Sequence, residues 1–511
     1  MVWRDGLFYK LLKYNISPKF VRLLRGMYSR LQACVQLPNG LSNPFPSRIG
    51  LKQGCNLSPL LFNIFINDLI DNLSEAGMDA PKLGDLDVGC LLYADDLVLM
   101  SESEEGLQKG LDVLDKFTRD WHLQVNSTKT KCLTFHRGRR SNTPASLKLG
   151  EILIQNCSTY CYLGTVFSES GSLKLAASTL SDKAKSAMFS LLKSLYKHKS
   201  CNVPLCMDLF DKMILPIATY NSEVWGVSCI PPNPNNNRLL DQDTIYKHPI
   251  EIFQCHFLKR LLGVRDRASN WAVISETGRR PVTLSIFTSI LKFLLHMKES
   301  PSEIVIAALE ANKNIANINT WSKSVLKLLN FCNLSWECLT APDINSTRDR
   351  LSSVFLEEWE LKRDRLKVEG KLNLYAGMKV TFGREGYLDS KVYKYRNVIT
   401  KMRISAHGFP IETGRYSGIP REERLCPLCK SGVGNESHYL LECPIPKMVD
   451  ARIAMLKNLP SDILSMLNID QKCKYILANS DPKQLNNVGV LCFKIQKIFK
   501  EEMKSIESPE K

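Results

Sequence analysis

The sequence predicts an α+β chain whose strands gather in its amino-terminal part, with helices dominating the remainder and a small metal-binding region near the carboxyl terminus. Three observations lead there. Val88, Cys90 and Leu92 run into Tyr93-Ala94-Asp95-Asp96, and Leu97-Val98-Leu99-Met100 runs out, so two short apolar strands flank a turn bearing adjacent carboxylates. From about Ser181 the period changes to helical, with Ala184, Met188, Leu191, Leu192 and Leu195 on one side and lysines on the others. Cys426, Cys429, His438 and Cys443 then give the spacing Cys-x2-Cys-x8-His-x4-Cys, four ligands of the kinds that hold structural zinc.

Length and charge bound the rest. A chain of 511 residues has room for two to four domains. Lys and Arg outnumber Asp and Glu by 68 to 52, a net charge of +16 that favours polyanionic partners, nucleic acid first among them. The 17 cysteines are odd in number and scattered, and no apolar leader opens the chain, which fits reduced thiols in the nucleus or cytoplasm. The longest apolar stretch, Val282 to Met297, is broken by Ser285, Thr288, Ser289 and Lys292 and is too short to span a bilayer. A membrane protein is not expected.

Each element has its own signal. Ser17-Pro18 followed by Phe20, Val21, Leu23, Leu24 and Met27 predicts a capped amphipathic helix ending near Gly26 to Tyr28. Ala33, Val35 and Leu37 alternate up to Asn39-Gly40, a hairpin signal, with Ser47 to Ile49 as the returning strand. Ser58-Pro59 caps a helix with Leu61, Ile64, Phe65, Leu69 and Leu73 on one face and Gly77 at its end. Ser103 with Glu104 and Glu105 opens another, whose apolar face is Leu107, Leu111, Leu114, Phe117 and Trp121. A strand is expected over Lys131 to Phe135, and a Pro/Asn loop over Pro231 to Asn237.

Adjacent aspartates at a hairpin tip repel unless a cation sits between them, and a hard divalent ion such as Mg²⁺ suits carboxylate oxygens and phosphate together. The bland alternative is a solvated Asp-Asp turn. Context decides between them. Tyr93-Ala94-Asp95-Asp96 resembles motif C of reverse transcriptases, and Gly50-Leu51-Lys52-Gln53-Gly54-Cys55-Asn56-Leu57-Ser58-Pro59-Leu60-Leu61-Phe62 resembles their motif B. Asn126 to Lys131 resembles motif D, and Tyr162-Leu163-Gly164 the primer-grip hairpin of the non-LTR retrotransposon class.

The resemblance implies a reverse-transcriptase palm, a split βαβ sheet, followed by a helical thumb. It implies Asp95 and Asp96 as Mg²⁺-side catalytic carboxylates, with Asp95 the direct ligand. Gln53, Gly54 and Tyr93 would lie at the template and incoming nucleotide, and Lys129, with Lys131 as the alternative, near the pyrophosphate. RNA, DNA and deoxynucleotides would be the partners. In the family, the segment that Val2-Trp3-Arg4-Asp5-Gly6-Leu7-Phe8 resembles follows the strand bearing motif A, with its own metal-binding aspartate. This chain opens at Met1 just there, so an incomplete palm is expected, lacking a carboxylate that two-metal catalysis needs. The expected domains are the palm remnant over 1–168, a thumb over 169–300, a helical connector over 301–350, a basic and zinc-binding region over 351–450 and a helical tail over 451–511.

The Cys/His cluster also resembles one near the carboxyl terminus of many non-LTR reading frames, where a segment like Ile411-Glu412-Thr413-Gly414-Arg415-Tyr416 precedes it. Gly432 and Gly434 would let its halves close on one Zn²⁺. Before it, Lys362 to Arg403 holds twelve basic against four acidic residues, a local +8, with Tyr375, Tyr387, Tyr393 and Tyr395 interleaved. That pattern predicts a single-strand-binding surface, the alternative being a charged face over core tyrosines. Cys201, Cys206, Cys332 and Cys338 read as ordinary thiols. Two functions follow as alternatives: an RNA-directed DNA polymerase, or a non-catalytic nucleic-acid-binding protein derived from such an element. No oligomer interface is legible.

Overall fold

Contacts divide the chain into two units, Met1–Ser172 with Ser300–Ala316, and Leu173–Glu299 with Asn317–Lys511. The computed structural model describes residues 2–136, 145–197, 202–231, 238–315, 320–368, 370, 372–390, 392–456, 468–479 and 481–507. Most of the Pro/Asn loop, 232–237, and Cys201 therefore lie outside the described residues.

The first unit begins with helices α1 (Arg4–Lys13) and α2 (Pro18–Ser29). Their apolar positions Leu7, Phe8, Leu11, Val21 and Leu24 close on Leu61 and Phe65 of α3 (Ser58–Ile66). Pro18 fixes the first turn of α2 as the sequence suggests, and the helix runs through Gly26 to Ser29. The single helix expected after Ser58 is two, α3 and α4 (Asp68–Glu75), divided at Asn67. The cause is a lysine. The Phe65 carbonyl, which an unbroken helix would offer to the amide four residues on, accepts from the Lys10 ammonium at 2.5 Å, and Asp68 pairs with the same ammonium.

The hairpin at Asn39 forms with a shifted return. β1 (Gln32–Ala33) pairs with β4 (Phe45–Pro46), and β2 (Gln36–Leu37) with β3 (Gly40–Leu41), so Pro38-Asn39 make the turn and residues 47–49 lie past the ladder. β5 (Lys82–Leu83) and β6 (Leu86–Asp87) form another pair, and β7 (Cys90–Tyr93) and β8 (Asp96–Leu99) the apolar hairpin. Helix α5 (Glu104–Asp120) starts where Ser103 Oγ accepts from the Gly106 amide at 3.2 Å. Its Leu111, Leu114 and Phe117 join Leu69 and Leu73 in a second core, on which Cys90, Leu97 and Leu99 pack.

β9 is Lys131–Cys132, shorter than expected because the chain leaves the ladder before Phe135, which is exposed. It pairs in parallel with β12 (Gln155–Asn156), after the hairpin of β10 (Lys148–Leu149) and β11 (Ile152–Leu153). β13 (Thr159–Tyr162) and β14 (Thr165–Ser168) turn at Leu163-Gly164, both at positive φ. Among the described residues every ladder has two strands, so they do not themselves assemble a split βαβ sheet. The unit regains a helix, α6 (Glu303–Asn314), which packs on β5.

The second unit is helical. α7 (Lys174–Lys197), α8 (Pro249–Leu262), α9 (Asn270–Thr277) and α10 (Val282–Lys298) surround a core rich in aromatic rings, with Phe210 stacked on Phe257 at 4.1 Å and Trp271 on Trp359 at 5.8 Å. The expected amphipathic helix from Ser181 is present and begins earlier, at Lys174. α11 (Ala341–Val368), α12 (Tyr393–Arg403), α13 (Ile469–Ala478) and α14 (Pro482–Glu507) complete it. Among the described residues no helix is long and apolar enough to cross a membrane.

Candidate active site and metal centre

The β7–β8 register pairs Tyr93 with Asp96, leaving Ala94-Asp95 as a two-residue turn. Such a turn needs positive φ, normally supplied by glycine or asparagine; here Ala94 takes it at φ 53°. Cross-strand partners share a face, so Tyr93, Asp96, Leu91 and Val98 lie on one side and Cys90, Leu92, Leu97 and Leu99 on the other, against the core. Tyr93, Asp95 and Asp96 are all exposed. The rigid apolar face thus holds two carboxylates out into solvent. The primer-grip-like hairpin lies nearby: burial, and then the charge of Asp96, raise the Tyr162 hydroxyl above its usual range.

The segment resembling motif B is an exposed loop leading into α3. Gly50 and Gly54 take φ of 81° and 78°, and a side chain added at Gly54 would meet open space, so a ligand's backbone or base could approach there. Gln53 is exposed, and Ser58 Oγ donates to the Lys52 carbonyl at 2.7 Å, closing the loop on the helix start. Arg4, which no sequence signal singled out, clamps the preceding residues. Its guanidinium donates to the carbonyls of Ser47, Gly50, Ile49 and Tyr28 at 2.7 to 3.2 Å. Lys129 projects from a turn in which Asn126 Oδ1 accepts from the Lys129 amide and from Thr128 Oγ1, and it is exposed; Lys131 donates to Gln155 at 2.5 Å.

The four cluster residues converge. One ligand atom each from Cys426, Cys429, His438 and Cys443 lie within 4.8 Å of one another, and all but Cys429 are buried. Backbone bonds shape the loop: Cys426 N donates to Gly432 O and Lys430 N to Cys426 O, each at 2.8 Å, with Lys430 at φ 56°. Gly434 has no room for a side chain, since a Cβ would lie 2.9 Å from Pro410 and 3.1 Å from the Tyr439 hydroxyl. His438 stands with Nε2 3.3 Å from Cys429 Sγ and Nδ1 3.6 Å from Glu442, the carboxylate-to-histidine arrangement that orients metal ligands. Glu442 escaped the sequence reading, although its i, i+4 spacing from His438 is a usable signal. Burial raises the Cys429 thiol, but hydrogen bonds with Ser431, Cys426 and Cys443 together outweigh it and leave the net shift downward. Three thiols and an imidazole at this separation match a tetrahedral site for a soft divalent ion.

The basic run is a correction. Tyr375 and Tyr387 are 0% and 2% exposed, and Lys379, Arg396 and Arg403 are buried with them, so this segment contributes to the core. Arg403 donates through Nε to Glu276 at 2.6 Å, reaches Glu385 at 2.8 Å, and donates through another nitrogen to the Leu477 carbonyl at 2.6 Å. Tyr387 donates to Glu276 at 2.5 Å. Lys362 and Arg365 both bind Asp243, Arg363 and Lys367 bind Asp364, and Arg384 binds Asp389. Seven of the twelve basic side chains therefore have ion-pair partners among the described residues, and Asp243 and Glu276, distant in sequence, offset two of the local +8, which a linear count does not see. Tyr393 remains exposed and Tyr395 half-buried, while Lys371 and Lys391 lie outside the described residues. Of the other thiols, Cys206 and Cys332 are buried as expected and Cys338 is exposed.

Residues 1–167 match the family described as reverse transcriptase (RNA-dependent DNA polymerase). This chain carries a reverse transcriptase domain of the non-LTR retrotransposon family. Similar proteins include the RNA-directed DNA polymerase from mobile element jockey of Drosophila melanogaster, 21% identical over 48% of this chain and 26% of that protein. The probable RNA-directed DNA polymerase from transposon BS of the same species is 26% identical over 47% of this chain and 26% of its own length. The Pol polyprotein from the type-2 retrotransposable element R2DM is 34% identical over 128 residues, 25% of this chain and 12% of that protein. The chain therefore spans only about a quarter of the length of the first two relatives.

Proposed function

We propose that this chain acts on nucleic acid as part of an RNA-directed DNA polymerase of a non-LTR retrotransposon, in which deoxynucleotides extend a primer on an RNA template. The observation that carries the reading is the family match over residues 1–167 joined to a hairpin tip that exposes Asp95 and Asp96. In this reading Asp95 is a Mg²⁺ ligand with Asp96 beside it, and Gln53, Gly54 and Tyr93 lie at the template and incoming nucleotide. The open space at Gly54 supports that role. Lys129 stands near the pyrophosphate; its exposure, against the Gln155 bond of Lys131, favours it. Cys426, Cys429, His438 and Cys443 hold one Zn²⁺. The helices of 169–300 serve as thumb, those of 301–350 as connector, and 451–511 as tail.

We further infer that the described residues alone do not complete the polymerase centre, so the isolated chain is a nucleic-acid-binding protein first. Two-metal catalysis needs carboxylates that hold two ions ~3.5–4 Å apart. Among the described residues no third ligating side chain joins Asp95 and Asp96, whereas the Cys/His cluster is found complete. The residues present fit Mg²⁺ only in part. The test is primer extension on an RNA template by the full chain with Mg²⁺. The expected result is binding of template and primer without processive synthesis. Robust synthesis that vanishes in Asp95→Ala would overturn the incompleteness and leave the polymerase reading standing. Loss of template binding would overturn both.

A further inference from the structure

Much of the basic run is ion-paired or buried, yet the fold gathers one of its lysines, Lys401, with cations far away in the chain. Arg265 and Arg267 are exposed in the turn after α8, Lys500 is exposed on α14, and Lys401 sits half-buried near the end of α12. Helix α12 packs against both α8 and α14, which brings Lys401 toward the Arg265 turn and Lys500; burial first, and then repulsion from Lys500 and Arg265, lower its ammonium below the ordinary range. Among the described residues Arg265, Arg267, Lys401 and Lys500 make no ion pair. Asp266, the acid of the same turn, is engaged by Arg260 at 3.6 Å and His256 at 3.7 Å.

An aromatic ring stands among the cations. Tyr416 is 55% exposed, with the Arg415 guanidinium 5.0 Å and the Arg267 guanidinium 5.8 Å from its centre. Arg415 also donates to the Tyr416 hydroxyl at 3.3 Å and keeps only a loose 3.9 Å approach to Glu412. Unpaired like charges held together repel, and a phosphate backbone relieves that repulsion by displacing counterions. A flat exposed ring between them is what separates nucleic acid from an acidic polypeptide as the occupant, because a base stacks on it whatever its identity. We propose that Arg265, Arg267, Lys401, Lys500 and Tyr416 form a binding surface for single-stranded nucleic acid, phosphates on the cations and a base on the tyrosine. The choice of ligand rests on the nucleic-acid reading above, but the surface is independent of the polymerase carboxylates.

The test is fluorescence anisotropy of the full chain with short labelled oligo-uridine, oligo-deoxythymidine and duplex probes across a salt series. The combined variant Arg265→Gln, Arg267→Gln, Lys500→Gln should flatten the log–log salt slope by about two, from ~0.7 per phosphate released. Tyr416→Leu should weaken single-strand binding roughly five- to a hundred-fold with the slope unchanged, and Tyr416→Phe should restore it. Arg365→Gln with Lys367→Gln, whose charges are already paired, should change the slope little. A slope unmoved by the triple variant, or Tyr416→Leu binding like the parent, overturns the proposal. So does duplex bound as tightly as single strand, or displacement of oligo-uridine by polyglutamate at equal charge. Comparison of the two single strands separates RNA from DNA. A chain that binds template and primer as well in the triple variant as in the parent overturns this surface and leaves the polymerase reading standing, whereas loss of all template binding by the parent overturns both.

Discussion

Lys10 shows how one buried side chain can interrupt the hydrogen-bond ladder of a helix. It is fully buried, with its ammonium 3.6 Å from the centre of the Trp121 ring and 4.7 and 4.9 Å from those of Phe117 and Phe65, and Asp68 is its ion-pair partner. Burial is the largest influence on its acidity and lowers its pKa below the ordinary 10.5, with Asp68 opposing. Between the folded and unfolded values the unfolded chain binds more protons, so this group's contribution to stability rises with pH there and is unfavourable, and constant, below. Removing the partner should therefore hurt more than removing the charge. Asp68→Ala is expected to lose ~3–5 kcal/mol, whereas Lys10→Met, which keeps the stem and drops the ammonium, should be near neutral. Urea titrations of both variants at neutral pH check this. Lys10→Met as damaging as Asp68→Ala would mean that the aromatic rings offset the burial, and the parent's rise in stability with pH should then be absent.

At the scale of elements, the ion network around Glu276 fastens α9, α12 and α13 to the 379–389 segment. Glu276→Gln leaves Arg403 buried with a weakened partner and should cost a few kcal/mol, while Glu276→Met with Arg403→Met should cost less than the sum of the single changes. A double-mutant cycle by denaturation decides; additivity would dissolve the network as an energetic unit. This is also where sequence legibility stops. The hairpin with Asp95 and Asp96, the start of α5 at Ser103 and the Cys-x2-Cys-x8-His-x4-Cys spacing could be read because each signal is local. Pairings such as Arg403 with Glu276, 127 residues apart, leave no local trace, so charges and tyrosines of the core looked like a surface. The break at Asn67 was hidden for the same reason, since its cause lies on α1. Arg4, tying the carbonyls of Ser47, Ile49 and Gly50 to that of Tyr28 on α2, shows no pattern of its own at all.

For the whole molecule, the Cys/His cluster and the helices on either side of it belong to one contact unit. Tyr439, next to His438, packs on Phe409 and Phe499, and α12 lies along α14. If the cluster holds Zn²⁺, chelation should loosen more than the loop: amide exchange ought to quicken across α8 to α10 as well as over 409–443, with α3 to α5 of the other unit little changed. Hydrogen-exchange mass spectrometry of the full chain with and without chelator reads this directly, and exchange confined to 426–443 would show the site to be energetically local. The other unit carries a consequence of a different kind. It is interrupted: the chain leaves it at Ser172 and returns with α6 only after Ser300. On the ribosome, where synthesis proceeds at ~5–20 residues per second, the polymerase-like half would wait on the order of ten seconds for its last helix to emerge. During that interval the β5–β6 hairpin would lack the helix that packs on it, and nascent-chain chaperones would find their opening there.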